Sequence, residues 1–203
     1  MSQAVATFHR MTSESRYPPE RLVEYDSAWT ERFVETSTPL LTRLGPAWAV
    51  EHVGSTSVPG LPAKPVIDLA LRLPEDERLR DWEPAFRSVG WTGLVKVGDH
   101  DTSFLLDGET RRAIAHVFTA QQWPEAHLRL FAHWLRTHQT AREEYANLKR
   151  ALVSRGLWGS SYTAAKLAFV QRMVNEARAA RDLPPVTLGP ATNPAQPAAS
   201  GGP

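Results

Sequence analysis

The chain has 203 residues, 42% of them hydrophobic and 22% charged, with a net charge of +1 and no cysteine. This length suits one compact domain or a core with a helical appendage, and the balance is that of a soluble globular protein. A near-neutral charge gives no global field to attract nucleic acid or an anionic membrane, and the absence of cysteine excludes disulfides, thiolate catalysis and Cys-based zinc sites.

Met1 to Arg16 are polar and contain no apolar stretch of the secretory kind, so residues 1–19 read as a flexible leader. No apolar run approaches the roughly 20 residues of a membrane span, and a cytoplasmic protein is expected. Tyr25-Asp26-Ser27-Ala28-Trp29 opens a helix, with Asp26 or Ser27 as its N-cap. Trp29, Phe33, Leu40, Leu41 and Leu44 form its apolar face, and Gly45-Pro46 ends it. Trp48 to Val53 reads as a short strand, residues 54–65 as a loop, and Val66 to Leu73 as a second, nearly continuous apolar strand. A helix is predicted from Asp76 to Val89, then strands at 91–97, 102–107 and 111–119, separated by Gly98-Asp99 and Asp107-Gly108 turns. After Trp123-Pro124 the period changes to 3.6, with helices at 124–137, 140–154 and 161–181. Residues 182–203 are rich in Pro, Ala, Gly, Thr and Asn and read as a disordered tail. The expected fold is α+β: a small mixed sheet over about 20–122, then a helical part over about 123–181, in one domain.

The stretch from Glu51 to Leu69 carries the chemistry. Gly54, Ser55 and Thr56 follow the first strand, where backbone N–H groups and hydroxyls can meet a phosphate. Lys64 adds a mobile charge in the Pro/Gly loop. By alternation Ile67, Leu69, Leu71 and Leu73 share the core face, while Val66, Asp68, Ala70 and Arg72 share the other. Asp is a poor strand former, so Asp68 reads either as a surface residue at a strand start or as a ligand for a divalent cation. Glu51 and Val53 point one way, Val50 and His52 the other. His52 is an ordinary half-buried histidine or a site residue.

His116 shares a face with Arg112, Ile114 and Phe118, and it reaches Asp68 if the two strands are neighbours. It reads as a core histidine, a metal ligand or a phosphate contact. The spacing of His127, His133 and His138 fits no metal pattern, and all three are expected on helix surfaces. Two Tyr-x-x-x-Lys pairs, Tyr145 with Lys149 and Tyr162 with Lys166, put lysines on apolar helix faces. Either their stems carry the ammonium groups to solvent, or both reach an anionic ligand in a cleft between sheet and helices.

These residues resemble the GrpB-like family, over about Tyr25 to Arg178. The resemblance runs through Tyr25-Asp26 with Trp29, the stretch Glu51 to Leu61, Ala63-Lys64-Pro65-Val66-Ile67-Asp68 and His116-Val117-Phe118. In the helices it takes in Phe131, Leu135-Arg136, Tyr145-Ala146, Leu148-Lys149, Tyr162, Lys166 and Phe169. It implies a nucleotidyltransferase-like fold, a nucleoside triphosphate held with Mg²⁺ or Mn²⁺, and transfer of a nucleotidyl group to a small acceptor. Asp68 would hold the metal; Gly54, Ser55, Thr56, Lys64, Lys149 and Lys166 would hold phosphate; His116 is the candidate base. The pattern asks for a second carboxylate where Ala70 stands, and many relatives carry histidine where Ile114 stands. Asp99, Asp101 and Glu109 are the acids that could replace it. A related domain is fused behind dephospho-coenzyme A kinase in some bacteria. The alternative it implies is a non-catalytic ligand-binding or accessory module linked to coenzyme A metabolism. A nucleic-acid partner is disfavoured, since no basic/aromatic patch accompanies the low net charge.

Overall fold

The computed structural model describes Tyr17, Pro18 and residues 22–189. The rest of the expected leader, and the tail beyond 189, lie outside the described residues. Helix α1 (Ala28–Leu44) starts where Asp26 Oδ1 accepts the Ala28 N–H at 2.9 Å, so Asp26 rather than Ser27 supplies the capping oxygen. Five strands follow: β1 (Ala49–Val53), β2 (Ile67–Arg72), β3 (Val95–Val97), β4 (His100–Asp107) and β5 (Thr110–Phe118). They form one sheet in the order β1-β2-β5-β4-β3, in which only β2 and β5 run parallel. Between β2 and β3 lies α2 (Glu83–Ser88); after the sheet come α3 (His127–Thr137), α4 (Gln139–Ser154) and α5 (Gly159–Ala179). This is the α+β arrangement, a small mixed sheet followed by helices, that the sequence implies. No helix among the described residues is long and apolar enough to cross a membrane.

The alternation read from β2 holds. Ile67, Leu69, Leu71 and Leu73 pack with Trp29, Leu40 and Leu44 of α1 and Phe86 of α2. On the opposite face Ala70 joins Val53, Phe118, Ala126 and Ala132 under the start of α3. A third cluster ties the helices to the loop after β1: Val58 and Leu61 are fully buried among Phe131, Leu135, Tyr145, Phe169 and Met173.

Four boundaries differ from expectation. Residues 76–89 are not one helix: a 3-10 turn at Leu79–Trp82 precedes α2, and Pro84, with no N–H to donate, stands in the first turn of the new helix. In 91–97 only β3 is continuous strand; Trp91 makes an isolated bridge to Leu105, and beside it the Thr92 hydroxyl, not its carbonyl, accepts the Phe104 N–H at 2.9 Å. Pro124 belongs to a separate 3-10 turn, Trp123–Glu125, and Ala126 leaves the helical conformation before α3 begins. The chain from 182 to 189 is not loose either. Val186 and Leu188 pack against the helical cluster. The Val186 N–H donates to Asn175 Oδ1 at 3.0 Å, and the Leu188 N–H donates to Gln171. Two apolar side chains and satisfied backbone groups are enough to hold a segment of low-complexity composition.

A chain ending at Asp182 is expected to lose about 2 kcal/mol from these two apolar contacts. For a protein of this size that lowers the unfolding midpoint by several degrees, measurable by calorimetry.

Candidate functional site

Asp68 is the second residue of β2, and the loop after β1 crosses in front of it. Gly54 sits there with φ +67° and ψ −174°, a backbone region open in practice only to glycine. A Cβ on Gly54 would lie 2.1 Å from Asp68 Oδ2. Both the conformation and the space therefore require glycine. The chain then makes one 3-10 turn, Ser55–Ser57, closed by the Ser57 hydroxyl donating to the Gly54 carbonyl at 2.7 Å.

This turn is held from three sides. Thr56 is buried, its hydroxyl 3.0 Å from His52 Nε2. Burial holds His52 down to about 4, so it is neutral at pH 7, and its ring stacks on Phe33 of α1 at 4.7 Å. Arg136 of α3 donates to the backbone carbonyls of His52 and Ser57 at 2.6 and 3.0 Å. Lys149 of α4 is 1% exposed; it donates to Ser55 Oγ at 3.1 Å and also to the Pro62 carbonyl.

In front of the turn lies a cavity of about 150 Å³. Ser55, Thr56 and Asp68 line one side of it, and Lys64, Lys149 and Lys166 the others. Tyr17, Tyr162, Thr163, Val66 and Ile114 complete the wall. The Lys64 ammonium lies 3.9, 4.1 and 4.6 Å from the ring centres of Tyr17, Trp158 and Tyr162, an aromatic cage. Both Tyr-x-x-x-Lys pairs form as spaced: Lys149 sits 4.6 Å over Tyr145 and Lys166 4.3 Å over Tyr162. Burial lowers Lys64 to about 7, with repulsion from Lys166 adding to the effect. Burial likewise lowers Lys166 to about 8, although Asp68 pulls it back up. Lys149 lies well below its ordinary value for the same reason. Three amines and one carboxylate leave the wall short of negative charge, and that shortage suits an anionic ligand.

Behind Asp68 a chain of contacts runs across the sheet. Parallel pairing sets Asp68 beside Ile114 and Ala70 beside His116. His116 Nε2 is 3.4 Å from Asp68 Oδ1, and His116 Nδ1 is 2.9 Å from His100 Nε2. His100 Nδ1 in turn is 2.9 Å from Asp99 Oδ1. His116 therefore touches Asp68 but not the cavity, where Ile114 takes the lining position.

The remaining candidates separate. Glu51 stands opposite Ala70 in the β1–β2 register, on the face that lacks the second carboxylate. Both of its oxygens are engaged by Arg129 of α3, which also covers the Trp123 ring. Glu51 ties α3 to the sheet and does not line the cavity. Asp101 pairs with Lys96, Glu109 is exposed, and Asp99 faces His100, so none of the three acids fills the position of Ala70. The expectation for His127 is corrected. It is half-buried beside Asp99 and His100, because the break at Ala126 turns the first residue of α3 inward. His133 and His138 are exposed, as expected. Sequence reasoning missed Tyr17, Trp158, Thr163 and His100. Alternation along β4 could have singled out His100; nothing local marks Tyr17, which meets Lys64 and Arg111 across the fold.

The GrpB family pattern, described as GrpB protein, matches residues 19–176. This chain belongs to the GrpB family. It is 34% identical over 161 residues to a UPF0157 protein of Halalkalibacterium halodurans, covering 78% of this chain and 82% of that one. A UPF0157 protein of Streptomyces coelicolor is 32% identical over 162 residues, with 79% and 85% covered. The crystal structure of the conserved protein GrpB from Enterococcus faecalis superposes with a TM-score of 0.65 at 26% identity, covering 77% of this chain and 96% of that one.

Gly54→Ala is expected to cost at least about 1–3 kcal/mol for the backbone region alone. The contact with Asp68 adds to that. Chemical denaturation should show the loss, and Ser57→Ala, which removes only one turn hydrogen bond, should cost about 1 kcal/mol.

Proposed function

We propose that this cavity binds the phosphates of a nucleoside triphosphate, with a divalent ion at Asp68, and that the protein is a nucleotidyltransferase-like enzyme of the GrpB family. The observation that carries the reading is the convergence of Lys64, Lys149 and Lys166 with Ser55 and Thr56 around a single carboxylate. About 150 Å³ is small for a whole nucleotide, as drug-sized ligands need roughly 300 Å³ or more. It suits phosphate groups, with the nucleoside lying outward.

The donor set fits the implied ion. Mg²⁺ or Mn²⁺ is commonly held by one or two carboxylates together with substrate phosphates, and here Asp68 supplies the one carboxylate. When bound, the ion would neutralise charge on the phosphates. The chain's own residues do the rest. Lys64 and Lys166 bind the outer phosphate oxygens, and Ser55, steadied by Lys149, presents its hydroxyl to them. His116 orients Asp68 through its 3.4 Å contact. In nucleotidyl transfer the acceptor oxygen attacks the α-phosphorus and pyrophosphate leaves. His116 acts here as a positioning residue, since it does not line the cavity.

A second reading has its own observation. Ala70 is fully buried among Val53, Phe118 and Ala132, so a second carboxylate cannot stand there, and Glu51 opposite is held by Arg129. This favours a module that binds a phosphorylated small molecule without turnover, with coenzyme A precursors one class to screen. Small ligands, not nucleic acid, are the expected partners in both readings.

The test is thermal unfolding with each nucleoside triphosphate and with coenzyme A precursors, with and without Mn²⁺. A ligand at about 100 times its Kd stabilises by about 2.7 kcal/mol, a rise of roughly 5–10 °C for this size. The expected result is a metal-dependent rise in the wild type that Asp68→Asn loses while remaining folded. No rise with any ligand rejects both readings. Stabilisation with the nucleotide recovered unchanged selects the second.

Anion binding should also depend on pH. With Lys64 at about 7 and Lys166 at about 8 in the free protein, a bound polyanion draws protons back onto both. Binding without metal should therefore take up protons between pH 7 and 9, and affinity should fall as pH rises through that range. Calorimetry in buffers of different ionisation heat measures the uptake, and Lys64→Met should reduce it.

A further inference from the structure

Asp99, His100 and His127 lie outside the cavity, at the far end of the contacts behind Asp68. They come from three places: the turn before β4, the first residue of β4 and the first residue of α3. His100 Nδ1 is 2.9 Å from Asp99 Oδ1, and His127 Nδ1 is 3.9 Å from Asp99 Oδ2. One ligand atom from each residue lies within 4.8 Å of the other two. Around a tetrahedral zinc ion, with bonds near 2.0–2.1 Å, such atoms stand about 3.3 Å apart.

Two independent observations point to an ion here. First, His127 Nδ1 is fully buried, faces this group and has no hydrogen-bond partner among the described residues. A buried nitrogen without a partner is costly, and coordination satisfies it. Second, the contacts linking these residues to Asp68 are one hydrogen short while both imidazoles are neutral. Asp99–His100, His100–His116 and His116–Asp68 are three contacts in series between nitrogen or oxygen acceptors, and each needs one hydrogen. Two neutral imidazoles carry two N–H groups. An ion on His100 Nδ1 removes one requirement. His100 Nε2–H then donates to His116 Nδ1, and His116 Nε2–H donates to Asp68. The surroundings suit a ligand pair: Phe118 stacks on His100 at 4.7 Å and meets His127 edge-on at 6.0 Å, fixing both rings on an apolar floor. Lys96 reaches the Asp99 backbone carbonyl and Asp101, so it leaves the Asp99 carboxylate open.

We propose that Asp99, His100 and His127 form a zinc site with one open position, separate from the cavity and linked to Asp68 through His116. Two imidazoles, one carboxylate and no thiolate are a common three-ligand set for this ion. Bound zinc fixes the His100 and His116 tautomers and through them the orientation of Asp68.

The test uses full-length protein freed of any affinity tag and stripped with chelator. It is titrated with Zn²⁺ by calorimetry and with Co²⁺ by visible absorption. One equivalent is expected, with the Co²⁺ bands of a low-coordinate nitrogen/oxygen site. His127→Gln and Asp99→Ala should each abolish them, with circular dichroism unchanged. Asp68→Asn should keep them, which separates this site from the triphosphate reading, since that variant loses nucleotide binding instead. Absence of saturable binding in the wild type overturns the proposal, and so does binding that survives both His127→Gln and Asp99→Ala. The missing hydrogen would then belong to an imidazolium in the series.

Discussion

The approach of the Gly54 backbone to the Asp68 carboxylate governs the rest of the site. With room for no side chain between them, the loop after β1 must cross the open end of β2 in one conformation. That crossing sends Ser55 toward Lys149 and Thr56 toward His52. Val58 and Leu61 are then carried into the helical cluster. The loop is thus a structural joint between sheet and helices as well as a wall of the cavity. A joint of this kind bounds Asp68 on the side of the loop.

Charge is distributed unevenly around this joint. Surface pairs such as Arg150 with Glu24 are largely exposed, and such pairs contribute little to stability. The lysines of the cavity are different, because their charge is withdrawn from water and met by aromatic faces, one hydroxyl and one carbonyl. None of these is an anion. Burial is the largest effect working against the ammonium forms, and an anionic ligand placed among them would offset that cost. A surface designed only for packing would place methionine or leucine at Lys149 and Lys166, which lie on otherwise apolar helix stripes.

Much of this was legible in the sequence, and the reasons are local. Period-two alternation put Asp68 opposite the Leu69 and Leu71 face, and i, i+4 spacing put each lysine over its tyrosine. The Gly54-Ser55 turn announced itself by residue type. What alternation cannot give is which strands become neighbours: the Asp68–His116 contact exists because β2 and β5 run parallel in one register. The role of Glu51 was hidden for the same reason, since its partner Arg129 lies 78 positions away. His127 was misread because a helix drawn from Pro124 points it outward, whereas the break at Ala126 rotates it into the sheet. The 182–189 segment was misread from composition, which averages over Val186 and Leu188, the two residues that pack.

The replacement of the second carboxylate by Ala70 changes how the site must balance charge. A pair of acids can gather two hard cations before the substrate arrives. One acid cannot, so positive charge has to come from groups already fixed in the fold. On the proposed reading it comes from Lys64, Lys149 and Lys166, together with any ion that phosphates bring to Asp68. The face that would have carried the second acid is instead apolar, with Ala70 packed beneath α3. Polar contact continues to either side of it, through Glu51 and Arg129 from β1 and through His116 and His100 to Asp99 from β5 and β4. Asp68 is consequently contacted from behind by the His116 imidazole at Oδ1 and bounded in front by Gly54 at Oδ2.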